Sequence, residues 1–574
     1  MKYIFSLSLV VIFIWTMTGT STKNENAQIN SANNNSTSFT FKKIPEIISE
    51  KRSSSEFNHV NLFSFTSNAN ENDNNTTFVS KASLMTISKQ DLKNALDSKA
   101  ENILFSIPLS GSEQIELELT RSFPLSEDFK LTEKNGVSNK KADYTQGLHY
   151  KGIIKGKNNS IASVSIFKNF VMGIISDESG NYVLGSVKNP DNSYSGNYIF
   201  YNDADLKVKN NFKCGVEDQE DKFTRALDKS LSNLSGNENL DNPAARLPVK
   251  IYFEADYQMY VDASNNIDNV AAFIEGMFNS VQTIYQNEGI PFVISGIGVW
   301  TGPDPYRNLD DPYQILLNFG EASRDDFEGN LAHLISTRSA GLGGIAWIRV
   351  MCAEYNPQDS AGRFAFSNID PNYNNFPTYS WTVNVITHEM GHSIGSRHTH
   401  ACWWPAGPGG AIRAIDSCYT NELCSFPTRP RVGTIMSYCH LWTIAQGGGV
   451  NLSLGFGQLP GDTIRLRYSQ AACLDQALNS SERPSTFDLA QNFPNPYNPT
   501  TIIRFALPDE SIVNLKVYDI NGRLVADLLQ DKFYTPGFYD YEFNSSRYGL
   551  SSGIYFYRIE TTGFAETKRM VLIK

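Results

Sequence analysis

The chain has no surplus of basic residues. Its 49 Lys and Arg stand against 60 Asp and Glu, a formal net charge of −11. A nucleic-acid binder needs a basic footprint for phosphate, so that class is disfavoured. No stretch beyond residue 22 is apolar enough for a bilayer-spanning helix, which takes about 20 residues. No membrane span is therefore expected in the mature form. Charged residues make up only 19%, against 41% hydrophobic and 12% aromatic. Wholesale disorder requires the opposite balance. A single ordinary core is also excluded at 574 residues, because roughly 150 residues per domain gives three or four domains. Histidine and cysteine are scarce and unevenly placed. Four of the eight histidines fall between 388 and 400. Six of the seven cysteines (Cys352, Cys402, Cys418, Cys424, Cys439 and Cys473) lie in the second half, and Cys214 stands apart.

Met1-Lys2-Tyr3, an apolar run Ile4 to Met17 and the small polar residues Thr18 to Thr22 predict a secretory signal peptide over 1–21. The mature chain then meets an oxidising compartment where disulfides persist. Residues 22 to about 80 are rich in Asn, Ser, Thr and Lys and read as a flexible leader or a poorly packed edge. From Ile103 to Asp203 short alternating stretches predict a domain of antiparallel strands. Residues 215–245 read as a linker. Beyond it strands alternate with helices, the pattern of an α/β domain. Strands are expected at Val249 to Phe253, Phe292 to Trp300, Leu331 to Ile335 and Ile345 to Met351. A long helix is expected through Ile267, Val270, Ile274, Met277, Val281 and Ile284, whose steps of three and four make one buried face. Ser264 is its expected cap and Gly289 its stop. Asp311-Pro312 opens another helix. After a Pro-containing connection from Arg483 to Asn498, Thr501 to Lys574 returns to short strands, with an Asn521-Gly522 hairpin, as in a small β-sandwich.

The strongest signal is Thr387-His388-Glu389-Met390-Gly391-His392-Ser393-Ile394-Gly395-Ser396-Arg397-His398. The pattern predicts a helix over Val383 to Ile394. His388 and His392, four apart, leave one helix face about a turn from each other, a bite suited to a metal. Gly395 can take positive φ, so the helix can stop and the chain return with His398 as a third nitrogen ligand. Three protein ligands leave one position for water, the arrangement of catalytic zinc. Glu389 projects beside the ion and suits a base acting on zinc-activated water. Such a coincidence arises by chance in about one such chain in 10⁵, so a bland helix is the weaker reading. This string is the metzincin pattern, which also needs a methionine turn beneath the metal. Gly433-Thr434-Ile435-Met436-Ser437-Tyr438 supplies one, with Met436 at its centre. Tyr438 is either a packing residue or a phenol that steadies a developing negative charge. His400 and His440 fit no ligand spacing and are expected in supporting or surface roles.

Residues 246 to 478 resemble the reprolysin-like (adamalysin-like) metzincin peptidases. Beyond the zinc motif, the likeness rests on Leu247 to Met259, on Ala332-His333-Leu334-Ile335-Ser336 and on Gly343-Gly344-Ile345-Ala346-Trp347-Ile348 followed by Cys352. The resemblance implies an α/β catalytic domain with a mixed twisted sheet and long helices. It also implies that Ile345, Ala346, Trp347 and Ile348 form the edge strand on which an extended peptide is laid, by β-augmentation. Thr399 stands where reprolysins proper usually carry Asp, and they usually lack a tyrosine after the methionine turn. The subfamily therefore stays open, with a pappalysin-type metzincin as the rival.

The region from about 100 to 203 resembles a reprolysin-type propeptide through Leu148-His149-Tyr150-Lys151-Gly152, Asn159 to Ser165 and Gly173-Ile174-Ile175. Phe212-Lys213-Cys214-Gly215-Val216 is similar to the family's cysteine-switch segment, which implies that Cys214 holds the zinc and keeps the enzyme latent. Residues 487–574 resemble the type IX secretion sorting domain through Gln491-Asn492-Phe493-Pro494-Asn495-Pro496-Tyr497-Asn498-Pro499, Val517 to Gly522 and Gly553-Ile554-Tyr555-Phe556-Tyr557. The expected chain is multidomain: signal peptide 1–21, β-rich propeptide with switch and linker 22–245, metzincin catalytic domain 246–478, and an Ig-like β-sandwich for sorting, 479–574. The expected function is a secreted, latent zinc endopeptidase acting on proteins or peptides and handled by the type IX secretion machinery. Calcium is possible, with no pattern supporting it. The competing class is a surface adhesion protein on a peptidase-like scaffold. The six clustered cysteines suffice for three disulfides in any of fifteen connectivities, which leaves Cys214 single.

Overall fold

The computed structural model describes residues 42–69, 78–189, 193–207, 212–216, 247–338, 343–369, 377–420, 422–442, 448–474, 486–492, 494–534, 537–561 and 563–573. The expected signal peptide, most of the expected linker and residues 245–246 lie outside the described residues.

The histidine motif rests on a seven-stranded sheet. Its order is Gly344–Ala346, Phe364–Asn368, Leu331–Ser336, Val249–Ala255, Phe292–Trp300, Leu125–Lys134, Asn139–Ala142. The middle strands are parallel, and Gly344–Ala346 is antiparallel to Phe364–Asn368. Phe292–Trp300 is buried at every position, as parallel strands covered on both faces must be. The two strands at the far end come from the segment expected to belong wholly to a separate N-terminal β-domain. Leu125–Lys134 instead pairs in parallel with Phe292–Trp300, for example Ile297 with Leu131 and Trp300 with Lys134. Alternation along a strand says that it pairs, but not with which sheet.

The other N-terminal strands form a ten-stranded sheet running Asn58–Asn61, Asn102–Pro108, Gln114–Ser122, Leu148–Ile154, Lys157–Ile166, Val171–Asp177, Gly180–Lys188, Tyr194–Asn202, Ala82–Ile87, Phe63–Ala69. It is antiparallel except where Asn58–Asn61 runs parallel to Asn102–Pro108. Part of the expected leader is therefore ordered. Ile44–Ser54 is a helix with Ile44 and Ile48 buried, and Asn58–Asn61 and Phe63–Ala69 are strands. The Asn- and Ser-rich composition hid them because two apolar residues suffice to dock so short a helix.

The helix Ile267–Asn287 lies between the two sheets and is buried continuously from Val270 to Gln286. Its periodicity marks only the face turned to the parallel sheet. The polar face is covered too. Ser280 meets Ser163 Oγ at 2.7 Å, Asn279 Nδ2 donates to the Tyr150 carbonyl at 3.0 Å, and Ser122 Oγ donates to Gln282 at 2.8 Å. Tyr144 donates to Glu275 at 2.5 Å. Buried polar groups with partners are tolerated, so a polar face need not be a wet one. The cap is Asn266, whose side chain accepts from the amides of Asp268 and Asn269 at 2.8 and 3.1 Å. Ser264 instead sits at φ +62° in the preceding turn.

Pro312–Ser323 begins as expected, with Asp311 accepting from Gln314 N at 2.8 Å. The C-terminal region forms a three-stranded and a four-stranded antiparallel sheet around a shared core that includes Leu489, Phe505, Val517, Tyr557 and Met570. Asn521-Gly522 closes the hairpin between Ser511–Asp519 and Leu524–Tyr534, with Gly522 at φ +78°. Among the described residues no helix is long and apolar enough to cross a membrane.

Candidate metal centre

The motif helix spans Tyr379–Ile394, beginning four residues before the apolar pattern does. It ends at Gly395, φ +137°, where the amides of Gly395 and Ser396 both bond to the Gly391 carbonyl, at 3.1 and 2.9 Å. This turn swings His398 back beside the helix. Ring centroids of His388, His392 and His398 lie 4.5 to 5.1 Å apart. All three are at most 1% exposed.

Two backbone carbonyls set the imidazole orientations. His388 Nδ1 bonds to the Ile435 carbonyl and His392 Nδ1 to that of Ser396, each at 2.8 Å. A carbonyl accepts, so Nδ1 carries the proton and Nε2 keeps its lone pair. Burial, and then neighbouring imidazoles, hold the three rings well below the ordinary histidine range. They are neutral, the form that binds a metal. His388 Nε2 is buried without a hydrogen-bond partner, and His392 Nε2 and His398 Nε2 face each other at 3.1 Å. The Cys214 thiol joins them: one ligand atom from each of Cys214, His388, His392 and His398 lies within 4.8 Å of the others. Three nitrogens and a sulfur converging this way fit zinc.

Residues 247–442 match the model of metallo-peptidase family M12, of reprolysin type. The chain carries an M12 metallopeptidase domain. Residues 491–574 match the secretion system C-terminal sorting domain. The sorting domain indicates secretion by the type IX route to the cell surface or the medium. The chain is 23% identical over 347 residues to human disintegrin and metalloproteinase domain-containing protein 9, covering 56% of this chain and 40% of that protein. It thus spans less than half the length of that relative. The crystal structure of metalloproteinase-II from Bacteroides fragilis matches with 9% identity and a TM-score of 0.28, over 62% of this chain and 95% of the other. That of OgpA from Akkermansia muciniphila matches with 12% identity and a TM-score of 0.19, over 57% and 92%. TM-scores this low carry no structural argument.

Within the M12 domain Glu389 is fully buried, and burial pushes its carboxyl well above the usual range. The Cys214 thiol donates to its Oε2 at 3.6 Å. A Cβ at Gly344 would overlap the same carboxylate, so the close approach of backbone to Glu389 requires glycine there. Met436 is buried under the helix, where a Cβ at Gly391 would meet its sulfur at 2.8 Å. The turn is stitched to the chain just after His398, since Thr399 N donates to the Met436 carbonyl at 3.1 Å. Thr399, the departure from the reprolysin pattern, donates through its hydroxyl to Asp416 at 2.5 Å. A carboxylate thus stands at this place from 17 residues further on. Asp416 carries no signal in the sequence, and neither does Trp404, which donates to the His398 carbonyl at 2.8 Å.

The edge strand is shorter than expected. The continuous strand is only Gly344–Ala346; beyond it Trp347 N still reaches the Phe364 carbonyl at 3.4 Å and Ile348 makes an isolated bridge, both residues buried. There the chain leaves the sheet to cap the motif helix. Arg349 N bonds to the His392 carbonyl at 3.0 Å, and Val350 N and Met351 N to that of Ser393 at 2.9 and 3.2 Å. Those carbonyls lack intrahelical donors, which outweighs continuing the strand. On the open side of the edge lies the segment Phe212 to Val216. Gly215 N donates to the Gly344 carbonyl at 2.7 Å and Gly344 N to that of Lys213 at 3.2 Å, a parallel bridge. Tyr438 Oη donates to the Cys214 carbonyl at 3.1 Å. A Cβ at Gly343 would overlap the Lys213 carbonyl. In the unprocessed chain, Gly343→Ala is expected to speed alkylation of Cys214 by iodoacetamide about tenfold, because overpacking of this kind costs 1–3 kcal/mol or so. An unchanged rate would mean that the segment is held elsewhere.

The six clustered cysteines pair as Cys352–Cys473, Cys402–Cys424 and Cys418–Cys439, and Cys214 is in no disulfide. The last two tie down the loop between His398 and the methionine turn. The first joins the end of the edge-strand segment to the region after the helix Gln458–Ser469.

Proposed function

We propose that the chain is a zinc-dependent endopeptidase made as a latent zymogen. The observation that carries this reading is the meeting of four candidate ligand atoms beside a buried Glu389. His388, His392 and His398 would hold the ion. When bound, zinc supplies Lewis acidity for the scissile carbonyl and for water. Glu389 takes the proton of the attacking water and passes it to the departing amine. It lies against the Gly344 backbone, the side from which an extended peptide is laid on the edge strand. Tyr438 already donates to a peptide carbonyl at this place, which supports a role in steadying the oxyanion.

Latency follows from Cys214. Its thiol sits among the ligand nitrogens and on Glu389, so it stands where water would have to enter. In this reading residues 22–245 are the propeptide, 246–478 the catalytic domain and 479–574 an Ig-like sorting unit. Ala245-Arg246-Leu247 is the candidate activation cut. Cys214→Ala is expected to raise casein hydrolysis by the unprocessed protein by about tenfold or more, because the closed form loses its metal-directed contact. Equal activity of the two unprocessed proteins would remove the switch. A processed, zinc-loaded wild type that cleaves no protein or peptide would remove the peptidase reading and favour an adhesion role.

A further inference from the structure

The C-terminal sheets touch the N-terminal region far from the histidines. Phe533, near the end of the strand Leu524–Tyr534, stacks on Phe123, which directly follows Gln114–Ser122. The ring centroids are 4.4 Å apart and the planes 12° from parallel. Arg121 Cζ lies 5.2 Å from the Phe123 centroid. Lys99 Nζ donates to Asp531 Oδ2 at 2.8 Å. Glu127 interacts electrostatically with both Lys532 and Tyr534.

Both ends of the ion pair are held in a backbone conformation that side chains with a Cβ disfavour. Lys99, at the end of the helix Lys89–Ser98, has φ +45°, and Asp531 has φ +47°. Glycine is the ordinary choice at such a helix end. At Asp531 the cause is a bulge. Val513 faces Lys532 whereas Leu515 faces Leu529, so Gln530 and Asp531 together stand opposite Asn514. The Asn514 side chain accepts from Asp531 N at 3.1 Å and donates to Asp531 Oδ1 at 3.3 Å. One carboxylate oxygen is thereby pinned within the sandwich, and the other meets Lys99. A bulge re-aims a side chain in this way. Eight described residues other than glycine have positive φ, and two of them make this one pair. Strained backbone persists where the surroundings hold it, and it gathers at contacts that matter.

We propose that Asp531 and Phe533 form a docking surface whose partner is this chain's own N-terminal region at Lys99, Arg121 and Phe123. The sorting domain is then seated on that region and not carried as a free tail. This goes beyond the endopeptidase reading and does not depend on it. One exposed ion pair and one stack are too little to hold two separate proteins together. A covalent tether changes that, because a short linker gives an effective concentration of about millimolar. The chain from 475 to 485 is the tether. The seat lasts only while the N-terminal region stays in the molecule, and its loss bares Asp531 and Phe533.

The test uses the unprocessed full chain and a zero-length carbodiimide. This reagent joins an amine and a carboxylate in contact as an amide and leaves as a urea. Peptide mapping should find Lys99 linked to Asp531 at a yield comparable with that of Lys130 to Glu328, an exposed pair at 3.0 Å. Asp531→Lys should remove the link, and Lys99→Asp combined with Asp531→Lys should restore it in the opposite sense. Phe533→Ala leaves both charges in place. It should still lower the Lys99–Asp531 yield about fivefold, the worth of one aromatic pair, with Lys130–Glu328 unchanged. A yield indifferent to Phe533 would mean that a freely moving tail meets Lys99 by collision, and would overturn the proposal. So would a wild type that forms the Lys130–Glu328 link and no Lys99–Asp531 link, a result that needs no variant to fold.

Discussion

Glu389→Gln is expected to abolish peptide hydrolysis while leaving the metal bound. Gln has the shape of Glu and fits the same buried slot beside Gly344. It has no basic oxygen, so the attacking water keeps its proton and the leaving amine receives none. General acid–base catalysis contributes about 10²–10⁴-fold, and the loss should be at least of that size. The ligands stand apart from this change. His388 and His392 are oriented by the carbonyls of Ile435 and Ser396, and neither bond involves Glu389. Zinc content by elemental analysis should therefore stay near that of wild type. Chelation should silence the wild type and zinc should restore it, whereas zinc should restore nothing in the variant. Retention of a tenth or more of the activity, or loss of the metal, would contradict the assignment of Glu389 as the base.

Synthesis of residues 247–574 without the N-terminal region is expected to give a chain that does not fold. Leu125–Lys134 covers one edge of the parallel sheet, which would otherwise present unpaired backbone groups. The ten-stranded sheet covers the second face of Ile267–Asn287. At Gly276 a Cβ would overlap Met172 and meet Phe167 at 3.0 Å, so sheet and helix are in direct contact. Leu131, Phe167, Met172, Ile174, Val183 and Ile199 share one buried cluster with Phe273, Met277, Val281 and Ile297. A large side chain exposed again costs about 1.5–3 kcal/mol, and a whole domain has a net stability of about 5–15 kcal/mol. Losing several such contacts exceeds that margin. Thermal denaturation should show no cooperative transition for the shortened chain, and residues 42–216 added in trans during refolding should restore one. An enzyme freed of its N-terminal piece after folding can persist behind a slow unfolding barrier, so this expectation does not conflict with activity of the processed form. A shortened chain that melts cooperatively near the wild-type temperature would refute it.

The parts of this site legible in the sequence are those held by local geometry. His388, His392 and Glu389 lie on one helix, where spacing alone determines which side chains share a face. Gly395 announces the turn that returns His398, because few other residues adopt its φ. The core face of Ile267–Asn287 and the Asn521-Gly522 turn are legible for the same reason. Asp416, Trp404 and the carbonyls that orient the imidazoles are not. They reach the ligands from far along the chain or through backbone atoms, and neither leaves a mark on residue type. The edge strand shows the limit within one stretch. Ile345 to Met351 is apolar enough to be a strand, but the exposed carbonyls of His392 and Ser393 claim its second half.

By itself, the sequence located the candidate chemistry: three histidines and a glutamate at fixed spacing, a methionine turn after them, a sorting domain at the end and a seventh cysteine beyond the six that cluster. Short-range helix and turn geometry is enough to group the histidines and the glutamate, while the sorting domain is legible by its motifs and the cysteine by counting. Only the tertiary structure decided the company that chemistry keeps. It placed Cys214 among the histidines, laid Phe212 against His388 and His440, and built N-terminal strands into the sheet that carries the site. These contacts join segments tens to hundreds of residues apart. They follow from which surfaces bury each other best, and no local pattern encodes that competition.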